Sequence, residues 1–532
     1  MDTVVGPRGM LRWVAALCIA WVAGGWTAAG AASLRVASAF DPQSMDPHAV
    51  ALLYQTRVTS QVYESLVGRD EAFALAPALA VSWQQVAATA WRFRLRAGVQ
   101  FHDGTPFTAD DAVFSIQRAM GPTSQRAFQL QGVKSARAID PLTLEIDLQA
   151  PDAVLPDKLF ELAMMSKTWC QQHDVVAAQD FNGRQETYGV RHANGTGPFV
   201  LERYEPDVRT LLKRNARWWG WSQAPAGNLD DVTLLSIRSD ATRLAALISG
   251  EVDLVLDPPL PDIERLGREA SIRLQQVTDL GQQYLTFDQL RDQLEDSDVH
   301  AHNPFKDLRV RRAVYHALDM DLIVKKVLRG QAVPTGAFLS SRIDGSPAEL
   351  DRRLPFDPAL ARTLLAQAGY PQGFSVTMDC VNVAWREAVC QAMTAMLTRV
   401  GIRASLRSLP TNQFFPKISQ ASASLIEFGW TPGADAWSTL NALFHTYGVQ
   451  GAGPFNAGRY SHPALDAVID ALRVEPDLAR RRAMVADVLR IVAEELPYIP
   501  LYRRTLTWAM ARKVSTVQWP NDSPPLRWVR VQ

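Results

Sequence analysis

The residues best suited to chemistry lie close together in residues 91–119, WRFRLRAGVQFHDGTPFTADDAVFSIQRA. This stretch places a histidine beside a carboxylate, His102 and Asp103, and a second acidic pair, Asp110 and Asp111, a few residues later. Such a cluster could hold a metal ion, or it could supply a general acid and a general base. Either use needs further groups that converge from elsewhere in the chain, and the sequence nominates none.

The residues around this cluster indicate a strand, a turn and a helix. The hydrophobic residues of 91–95 alternate with arginines, as in a strand with one buried face. Asp-Gly-Thr-Pro at 103–106 is typical of a turn, and Thr108 is placed to begin a helix. Asp111 follows Thr108 at a spacing close to that of a capping box, in a first turn where the helix dipole favours acidic residues. We therefore predict that the cluster is structural.

Composition and motifs narrow the range of functions. The chain has 532 residues, too many for one compact core, so two or more lobes are expected. Its 55 basic and 55 acidic side chains cancel, which argues against a nucleic-acid-binding protein or an electrostatic membrane anchor. A secreted hydrolase is a competing hypothesis, but the sequence has no G-x-S-x-G, no H-E-x-x-H and no P-loop. We therefore predict that the protein is not an enzyme.

The N-terminus has the pattern of a secretory signal peptide. Two arginines are followed by an apolar run at 13–26, and the small residues TAAGAAS come next. The apolar run is shorter than the roughly 20 residues that a membrane-spanning helix needs. We predict that residues 1–32 are a signal peptide, cleaved after Ala31 or Ala32, and that the mature protein is periplasmic.

Three cysteines remain after cleavage, which allows one disulfide at most. Cys380 and Cys390 are the only close pair, and they form either a disulfide or two small buried hydrophobic residues. The absence of C-x-x-C disfavours zinc and thioredoxin chemistry. His300 and His302 are close but lie in an acidic stretch that is typical of a solvated loop. We predict no metal and no cofactor.

Alternating patterns predict both strands and helices. SLRVASAF and LTLEIDLQAP alternate polar and apolar residues, whereas DATRLAALISGEV, DLRVRRAVYHALDMDLIVKKVL and WREAVCQAMTAMLTRVG have helical periodicity. Strands interspersed with helices indicate an α/β protein with mixed α+β sheets. No low-complexity linker separates the lobes, so strands must cross between them.

Several motifs together resemble the family 5 extracellular solute-binding proteins, which include the oligopeptide-, dipeptide- and nickel-binding proteins of ABC importers. The strand, turn and helix of residues 91–119 resemble the signature region of this family. The other matches follow in the family's order through nearly the whole mature chain: DPQSMDPH, VYESLVGRD, NGTGPFVLERYEPDVRTLLKRNARWWG, DATRLAALISGEVDLV, NPFKDLRVRRAVYHALDMDLIV, ALARTLLAQAGYPQGF and RYSHPALDAVIDAL.

The resemblance implies a two-lobed periplasmic binding protein fold, with an extra subdomain inserted in the first lobe and a ligand cleft between the lobes. The first lobe would comprise residues 33–67, 194–279 and 503–532. The inserted subdomain would comprise residues 68–193, and the second lobe residues 280–502. The implied function is to capture a solute, most often a peptide in this family, and to deliver it to ABC permease and ATPase subunits at the inner membrane. The protein would act as a monomer and bind no nucleic acid.

The same resemblance suggests which residues line the cleft. Leu52 and Tyr54 follow DPH in a loop that touches ligand in the family, and Asp257 follows GEVDLVL. EFGWTPGADAW matches the strand and loop that bind the peptide backbone in peptide-binding members. The predicted ligand-binding residues are Leu52, Tyr54, Phe128, Asp257, Tyr284, Arg386, Phe428, Gly429, Trp430, Asp435 and Trp437.

One departure from the family's pattern bears on the ligand. Peptide-binding members commonly place an aspartate about three residues after the tryptophan that corresponds to Trp430, where it pairs with the peptide's ammonium group. That position is Gly433 here, and Asp435 comes two residues later. Either Asp435 substitutes through a bent loop, or an N-terminal amine is not the recognised group. The alternative ligand is then a nickel chelate, haem or another non-peptide solute.

Overall fold

The computed structural model describes residues 32–223, 226–432, 435–448 and 452–532. The predicted signal peptide, apart from Ala32, lies outside these residues, and so does Gly433. Within the described ranges, no helix is both long and apolar enough to cross a membrane.

Strands and helices mix along the whole described chain, as the periodicity predicts. The strands are β1 (Ala32–Ser38), β2 (Val67–Arg69), β3 (Leu75–Pro77), β4 (Ala80–Ala87), β5 (Ala90–Leu95), β6 (Val133–Asp140), β7 (Thr143–Leu148), β8 (Phe199–Glu205), β9 (Arg209–Arg214), β10 (Leu229–Ser236), β11 (Leu254–Val255), β12 (Ile272–Thr278), β13 (Gln282–Phe287), β14 (Ala332–Pro334), β15 (Phe374–Val381), β16 (Ile402–Leu409), β17 (Leu425–Trp430), β18 (Tyr498–Ala511), β19 (Val514–Ser515) and β20 (Arg530–Val531). The α-helices are α1 (Leu53–Val62), α2 (Ala109–Ala119), α3 (Leu155–Lys158), α4 (Lys167–Gln172), α5 (Asp240–Ile248), α6 (Ile263–Leu266), α7 (Leu308–Ala317), α8 (Met320–Lys326), α9 (Pro358–Gln367), α10 (Ala384–Arg399), α11 (Thr411–Ser419), α12 (Ala436–Phe444), α13 (Pro463–Val474) and α14 (Leu478–Glu495).

One predicted helical segment, DLRVRRAVYHALDMDLIVKKVL, forms two helices, α7 and α8. Leu318 has an extended backbone, with φ −102° and ψ 108°, and ends α7. The Asp319 carboxylate accepts a hydrogen bond from the Leu322 N–H and begins α8. A cap inside an otherwise continuous helical pattern therefore divides the segment.

The largest sheet has the strand order β16-β15-β17-β13-β18-β11-β1-β10-β9-β8, and β12 and β14 also pair with β18. β1 is parallel to β10 and β11, and β15 is parallel to β16 and β17, whereas the other pairs are antiparallel. We call the part from β12 and β11 to β8 the first lobe, and the part from β16 to β13 the second lobe. The mixed sheet confirms the predicted fold class.

Two neighbouring strand paths cross between the lobes, as the sequence requires. β18 pairs with β13 at Tyr498–Tyr502 and with β12 at Thr505–Ala511. A link of only three residues joins β12 to β13, so the chain crosses between the lobes a second time, beside β18. At the crossing, the Asp279 carboxylate lies 2.8 Å from Arg504 and accepts a hydrogen bond from the Gly281 N–H. Asp279 therefore ties the link between β12 and β13 to β18.

A separate four-stranded antiparallel sheet, β4-β5-β7-β6, lies in residues 68–193, which we call the inserted subdomain. The hydrophobic side chains of β5 are buried and its arginines are exposed, as the alternation predicts. α2 packs on this sheet and buries Ile116 in the same core as Phe93 and Ile146. The subdomain therefore has a hydrophobic core that is completed by Leu66 and Val67, immediately before it in the chain.

Candidate functional site

Parallel strands in each lobe end beside one another, at β1 and β11 in the first lobe and at β15 and β17 in the second. Ligands of α/β proteins bind outside the carboxyl ends of such strands. The loops and helices after these ends carry most of the predicted cleft residues: Leu52 and Tyr54 after β1, Asp257 after β11, Arg386 after β15, and Asp435 and Trp437 after β17.

The loop after β1 presents hydrophobic surface to solvent. Phe40 stacks on Tyr54 with 5.2 Å between the ring centroids. Phe40 is 53% exposed and Leu52 is 38% exposed. Hydrophobic side chains left uncovered beside strand ends are suited to form the wall of a ligand site.

Asp257 is held by other groups of the first lobe. Its carboxylate lies 3.0 Å from Arg57 and accepts hydrogen bonds from the Ser38 hydroxyl, at 2.6 Å, and the Ala39 N–H, at 3.2 Å. Burial raises the pKa of Asp257, but Arg57 and Ser38 more than offset this effect, so the pKa lies below its usual value. Asp257 therefore ties the loop after β1 to α1, and its contact with a ligand stays a prediction.

In the second lobe, β17 has an edge without a strand partner. β13 pairs with β17 along its whole length, from Leu425 to Trp430. On the other side, β15 pairs only with Leu425 and Ile426. Within the described residues, the backbone of Glu427–Trp430 on that side is free of any strand. Such an edge can accept an extended peptide by adding its backbone to the sheet.

Aromatic rings lie beside the free edge. The Trp430 indole N–H donates to the Thr439 hydroxyl at 3.0 Å, and its ring centroid is 5.1 Å from that of Phe455, which is exposed. At Gly429, a Cβ atom would lie 2.5 Å from Oε1 of Gln283. Glycine at position 429 therefore leaves room for the Gln283 side chain. The hydrogen bond to Thr439 fixes the orientation of the Trp430 ring.

Two of the predicted ligand-binding residues have their side chains in the core of the second lobe. Tyr284 is 0% exposed, and its ring packs against Phe338, Phe428 and Tyr498. Phe428 is also buried. Neither side chain presents surface to a solute, so only the backbone groups of Phe428 are available for the predicted contact.

Arg386 is bound to a buried carboxylate. Its guanidinium lies 2.8 Å from Glu427, which is 0% exposed. Burial raises the pKa of Glu427, and Arg386 lowers it by less. Cys380 and Cys390, beside Glu427, form a disulfide, which settles the pairing that the sequence left open. Cys380, Cys390 and Glu427 form the only group of side chains in the described residues that could together bind a metal ion. The disulfide already uses both sulfur atoms of this group.

Asp435 and Trp437 have structural partners. The Asp435 carboxylate accepts hydrogen bonds from the N–H and the hydroxyl of Ser438, at 2.7 and 2.5 Å, and begins α12. The Trp437 ring lies 4.8 Å from the ammonium of Lys158 in the inserted subdomain, and 5.0 Å from the guanidinium of Arg473. A role for Asp435 toward a ligand's ammonium group stays a prediction.

The cluster at residues 102–111 bonds within the protein. Nδ1 of His102 accepts from the Gly195 N–H at 3.3 Å, so Nε2 donates to the Gly197 carbonyl at 3.1 Å. Burial lowers the pKa of His102 to about 4. The Asp111 carboxylate accepts from the backbone N–H groups of Thr108 and Lys167, both at 3.0 Å. These bonds match the structural role that the sequence predicts.

A cavity of about 270 Å³ lies between the first lobe and the inserted subdomain. α1, β2, β3 and the segments 160–163, 218–223 and 519–528 line it. Its charged and aromatic lining includes Glu64, Arg69, Arg126, Glu161, Arg527, Trp218, Trp219, Trp519 and Trp528. Sequence reasoning missed this cavity, although Phe128, a predicted wall residue that is 59% exposed, lies two residues from Arg126.

Two opposite charges in the cavity are not paired with each other. Arg126 is buried, donates from Nη2 to the Thr56 hydroxyl at 2.8 Å, and has no partner for Nε. Glu161 is half-buried and accepts one long hydrogen bond, 3.3 Å, from the Asn521 amide. Burial raises the pKa of Glu161 more than the nearby Arg126 and Arg69 lower it. Both groups therefore have hydrogen-bonding capacity that the protein leaves unused.

Residues 74–451 match the family model of bacterial extracellular solute-binding proteins, family 5, middle region. The chain belongs to this family. It is therefore an extracellular solute-binding protein, the component that captures a solute for an ABC transporter.

Similar proteins support the same fold. The glutathione-binding protein GsiB of Shigella flexneri serotype 5b is 26% identical over 487 residues, which cover 89% of each chain. HbpA2 from Haemophilus parasuis aligns with a TM-score of 0.81 at 22% identity, over 94% of this chain and all of that one. The periplasmic murein tripeptide-binding protein MppA, in an unliganded open form, aligns with a TM-score of 0.80 at 22% identity, over 94% and 98% of the two chains. These likenesses confirm the two-lobed fold.

Proposed function

We propose that this protein is exported to the periplasm, captures a peptide or a small peptide-like solute between its lobes, and delivers it to ABC permease and ATPase subunits. It acts as a monomer and catalyses no reaction. In this proposal the first lobe comprises residues 33–67, 194–279 and 503–532, the inserted subdomain residues 68–193, and the second lobe residues 280–502.

The free edge of β17 at Glu427–Trp430 is the observation that carries the peptide proposal. A peptide backbone offers alternating donors and acceptors that pair with such an edge, whatever its side chains are. Trp430 and Phe455 beside the edge, and Phe40 and Leu52 in the first lobe, supply hydrophobic walls. The names of the glutathione-binding and murein tripeptide-binding relatives agree with a peptide-like ligand.

Mass spectrometry of the ligand that co-purifies with the native protein tests this proposal. Protein purified from periplasm without denaturation is then unfolded, and the released molecules are identified. We expect peptides in near-stoichiometric amount, and no metal in elemental analysis of the same sample. Stoichiometric nickel, or a haem absorption band, would contradict the peptide proposal in favour of the alternative ligands.

Export predicts a defined new N-terminus. The backbone nitrogen of Ala32 lies 3.0 Å from the Asp230 carboxylate, so a terminal ammonium created there by cleavage would have a counter-charge. We expect the intact mass of periplasmic material to correspond to a chain beginning at Ala32 or Ser33. Full-length protein in the membrane fraction would contradict cleavage.

A further inference from the structure

The carboxylates among the predicted cleft residues, and that of Glu427 in β17, are already engaged. Asp257 is bound by Arg57, Glu427 by Arg386, and Asp435 by the N–H and hydroxyl of Ser438. A peptide with a free N-terminus brings an ammonium group that loses water when the cleft closes. Such a cation needs a counter-charge with unused hydrogen-bonding capacity.

Glu161 meets that requirement among the carboxylates that line the cavity. Its only hydrogen bond is the 3.3 Å contact with Asn521, and it forms no ion pair with any described residue. Glu64 lines the same cavity but is engaged, because it accepts the indole N–H groups of Trp218 and Trp219 at 3.0 and 3.1 Å. Asp70 and Glu71 belong to the exposed surface at the cavity's side.

The backbone at Glu161 is also unusual. Its φ is +65°, in the left-handed region that residues with a side chain adopt rarely. Backbone strain of this kind clusters at binding sites, where the surrounding structure holds a side chain in a needed direction. The neighbouring Phe160 and Leu162 pack in hydrophobic cores, which fixes the segment on both sides.

We propose that Glu161, contributed by the inserted subdomain, binds the cationic group of the ligand and makes a free amine the recognised feature. This inference rests on the proposed peptide function and deepens it. Arg126, whose Nε has no partner, supplies the opposite charge in the same cavity and suits an anionic group of the ligand. Lys158, three residues before Glu161, lies 4.8 Å from the ring of Trp437, a predicted cleft residue, so this segment lies beside the cleft. At about 270 Å³, the cavity is close to the lower end of small-ligand pockets, so it receives one end of a peptide whose backbone pairs with β17.

Equilibrium dialysis against a defined peptide library tests the assignment. The library contains alanine di-, tri- and tetrapeptides, each with a free amine and in N-acetylated form, and glutathione. Mass spectrometry of the retained fraction gives the preference of the wild type, Glu161→Gln and Glu161→Asp for free amines. Glu145→Gln is the matched control, because Glu145 is a buried carboxylate of the same subdomain that lies outside the cavity. Thermal unfolding of each protein checks that it is folded.

We expect the wild type and Glu145→Gln to prefer free-amine peptides by about 10- to 100-fold, the range of one charge-assisted contact. In Glu161→Gln this preference should fall to near one, while binding of N-acetylated peptides is unchanged. Glu161→Asp should retain part of the preference for free amines, because it keeps the charge on a shorter side chain. If the glutamine variant does not fold, a reduced preference in Glu161→Asp tests the assignment instead.

Three outcomes would overturn the assignment. A full free-amine preference in folded Glu161→Gln shows that another group binds the ammonium. Loss of the preference in Asp435→Asn, but not in Glu161→Gln, assigns that role to Asp435, since asparagine still caps α12. A wild type that retains no peptide and carries a non-peptide ligand refutes the peptide function itself, and the assignment with it.

Discussion

Two polar clusters of the inserted subdomain both contain ionisable side chains but differ in how these are bonded. In the first, the side chains of His102 and Asp111 bond to backbone groups of the protein, and the Thr108 hydroxyl donates to Asp111. In the second, Arg126 and Glu161 line a cavity; Nε of Arg126 has no partner, and Glu161 accepts a single long hydrogen bond. The difference teaches that residue type alone does not show whether a polar cluster serves the fold. The number of donors and acceptors that find partners inside the protein is the more informative property.

The two clusters also differ in what they contribute to stability. A buried polar group with a good partner stabilises the fold modestly, but its removal strands the partner and costs more. A buried charge without a full set of partners is already a cost, which proteins tolerate where function needs it. Substitutions in the first cluster should therefore lower stability and leave ligand binding unchanged. In the second cluster, Glu161→Gln should raise stability slightly and weaken the binding of free-amine peptides.

The largest expected effect on stability is that of His102→Ala. The substitution leaves the Gly195 N–H without a partner and removes one of the two hydrogen bonds to the Gly197 carbonyl, which still accepts from Asn215. We therefore expect the free energy of unfolding to fall by about 1–3 kcal/mol. Urea unfolding followed by tryptophan fluorescence measures this change, with the exposed His300→Ala as the control. Ligand affinity should stay within about twofold of wild type, because His102 does not line the cavity. Weak binding with unchanged stability would contradict the structural role.

A smaller effect is expected when pH is lowered. Burial lowers the pKa of His102 to about 4, so the folded protein disfavours the protonated ring. The stability that His102 contributes is complete above the unfolded pKa of about 6.5 and is lost as pH falls toward 4. At pH 5 we expect the advantage of wild type over His102→Gln to be about 1–2 kcal/mol smaller than at pH 7.5.

Comparison with the glutamine variant isolates His102 from the other groups that titrate. His48 has a pKa lowered to about 3, and Glu64 has one raised to about 7, and both change stability over the same pH range. These groups are present in both proteins, so their effects cancel in the difference. Urea unfolding of the pair at several pH values gives the result. A difference that does not change between pH 7.5 and pH 5 would show that His102 is not buried in its neutral form.

The turn cluster could be predicted from the sequence because its signals are local. Thr108 and Asp111 are three residues apart, and the alternation in β5 is complete within six residues. The mixed strand and helix pattern likewise indicated the fold class. Periodicity alone predicted a single helix where the structure has α7 and α8, because periodicity does not reveal the cap that Asp319 forms between them.

The cavity could not be predicted because its parts are distant in sequence. Thr56, Arg126, Glu161 and Asn521 belong to four segments that only the tertiary fold brings together. A single sequence also does not reveal which groups find partners inside the protein. Asp435, which the sequence offered as a counter-charge, has both carboxylate oxygens bound by Ser438.

A third prediction concerns the cap of α2. The Asp111 carboxylate accepts from the N–H and the hydroxyl of Thr108, and Thr108→Ala removes the hydroxyl. We expect the free energy of unfolding to fall by about 0.5–2 kcal/mol, with ligand affinity unchanged. Thr108→Ser keeps the hydroxyl and should unfold close to wild type. If the serine variant loses as much as the alanine variant, the lost methyl group rather than the cap explains the effect.

The smallest expected change has the opposite sign and is that of Glu161→Gln. Burial raises the pKa of Glu161, so the folded protein bears a cost for keeping this carboxylate ionised at neutral pH. A neutral glutamine removes that cost, and we expect a gain in stability of between 0 and about 1 kcal/mol at pH 7.5. The gain should disappear as pH falls toward the usual glutamate pKa of about 4.3, because the wild-type carboxyl is then protonated in both states.

Glu145→Gln provides the contrast within the same subdomain. Glu145 is buried but paired with Arg92 and Arg137, so its substitution should lower stability at neutral pH. Urea unfolding of the two variants beside wild type, without added ligand, makes the comparison. A gain in Glu161→Gln together with a loss in Glu145→Gln means that the protein bears the charge of Glu161 for a use other than folding. A loss of similar size in both variants would instead show that Glu161 has a partner in the folded protein, and that the cavity is as fully bonded as the turn.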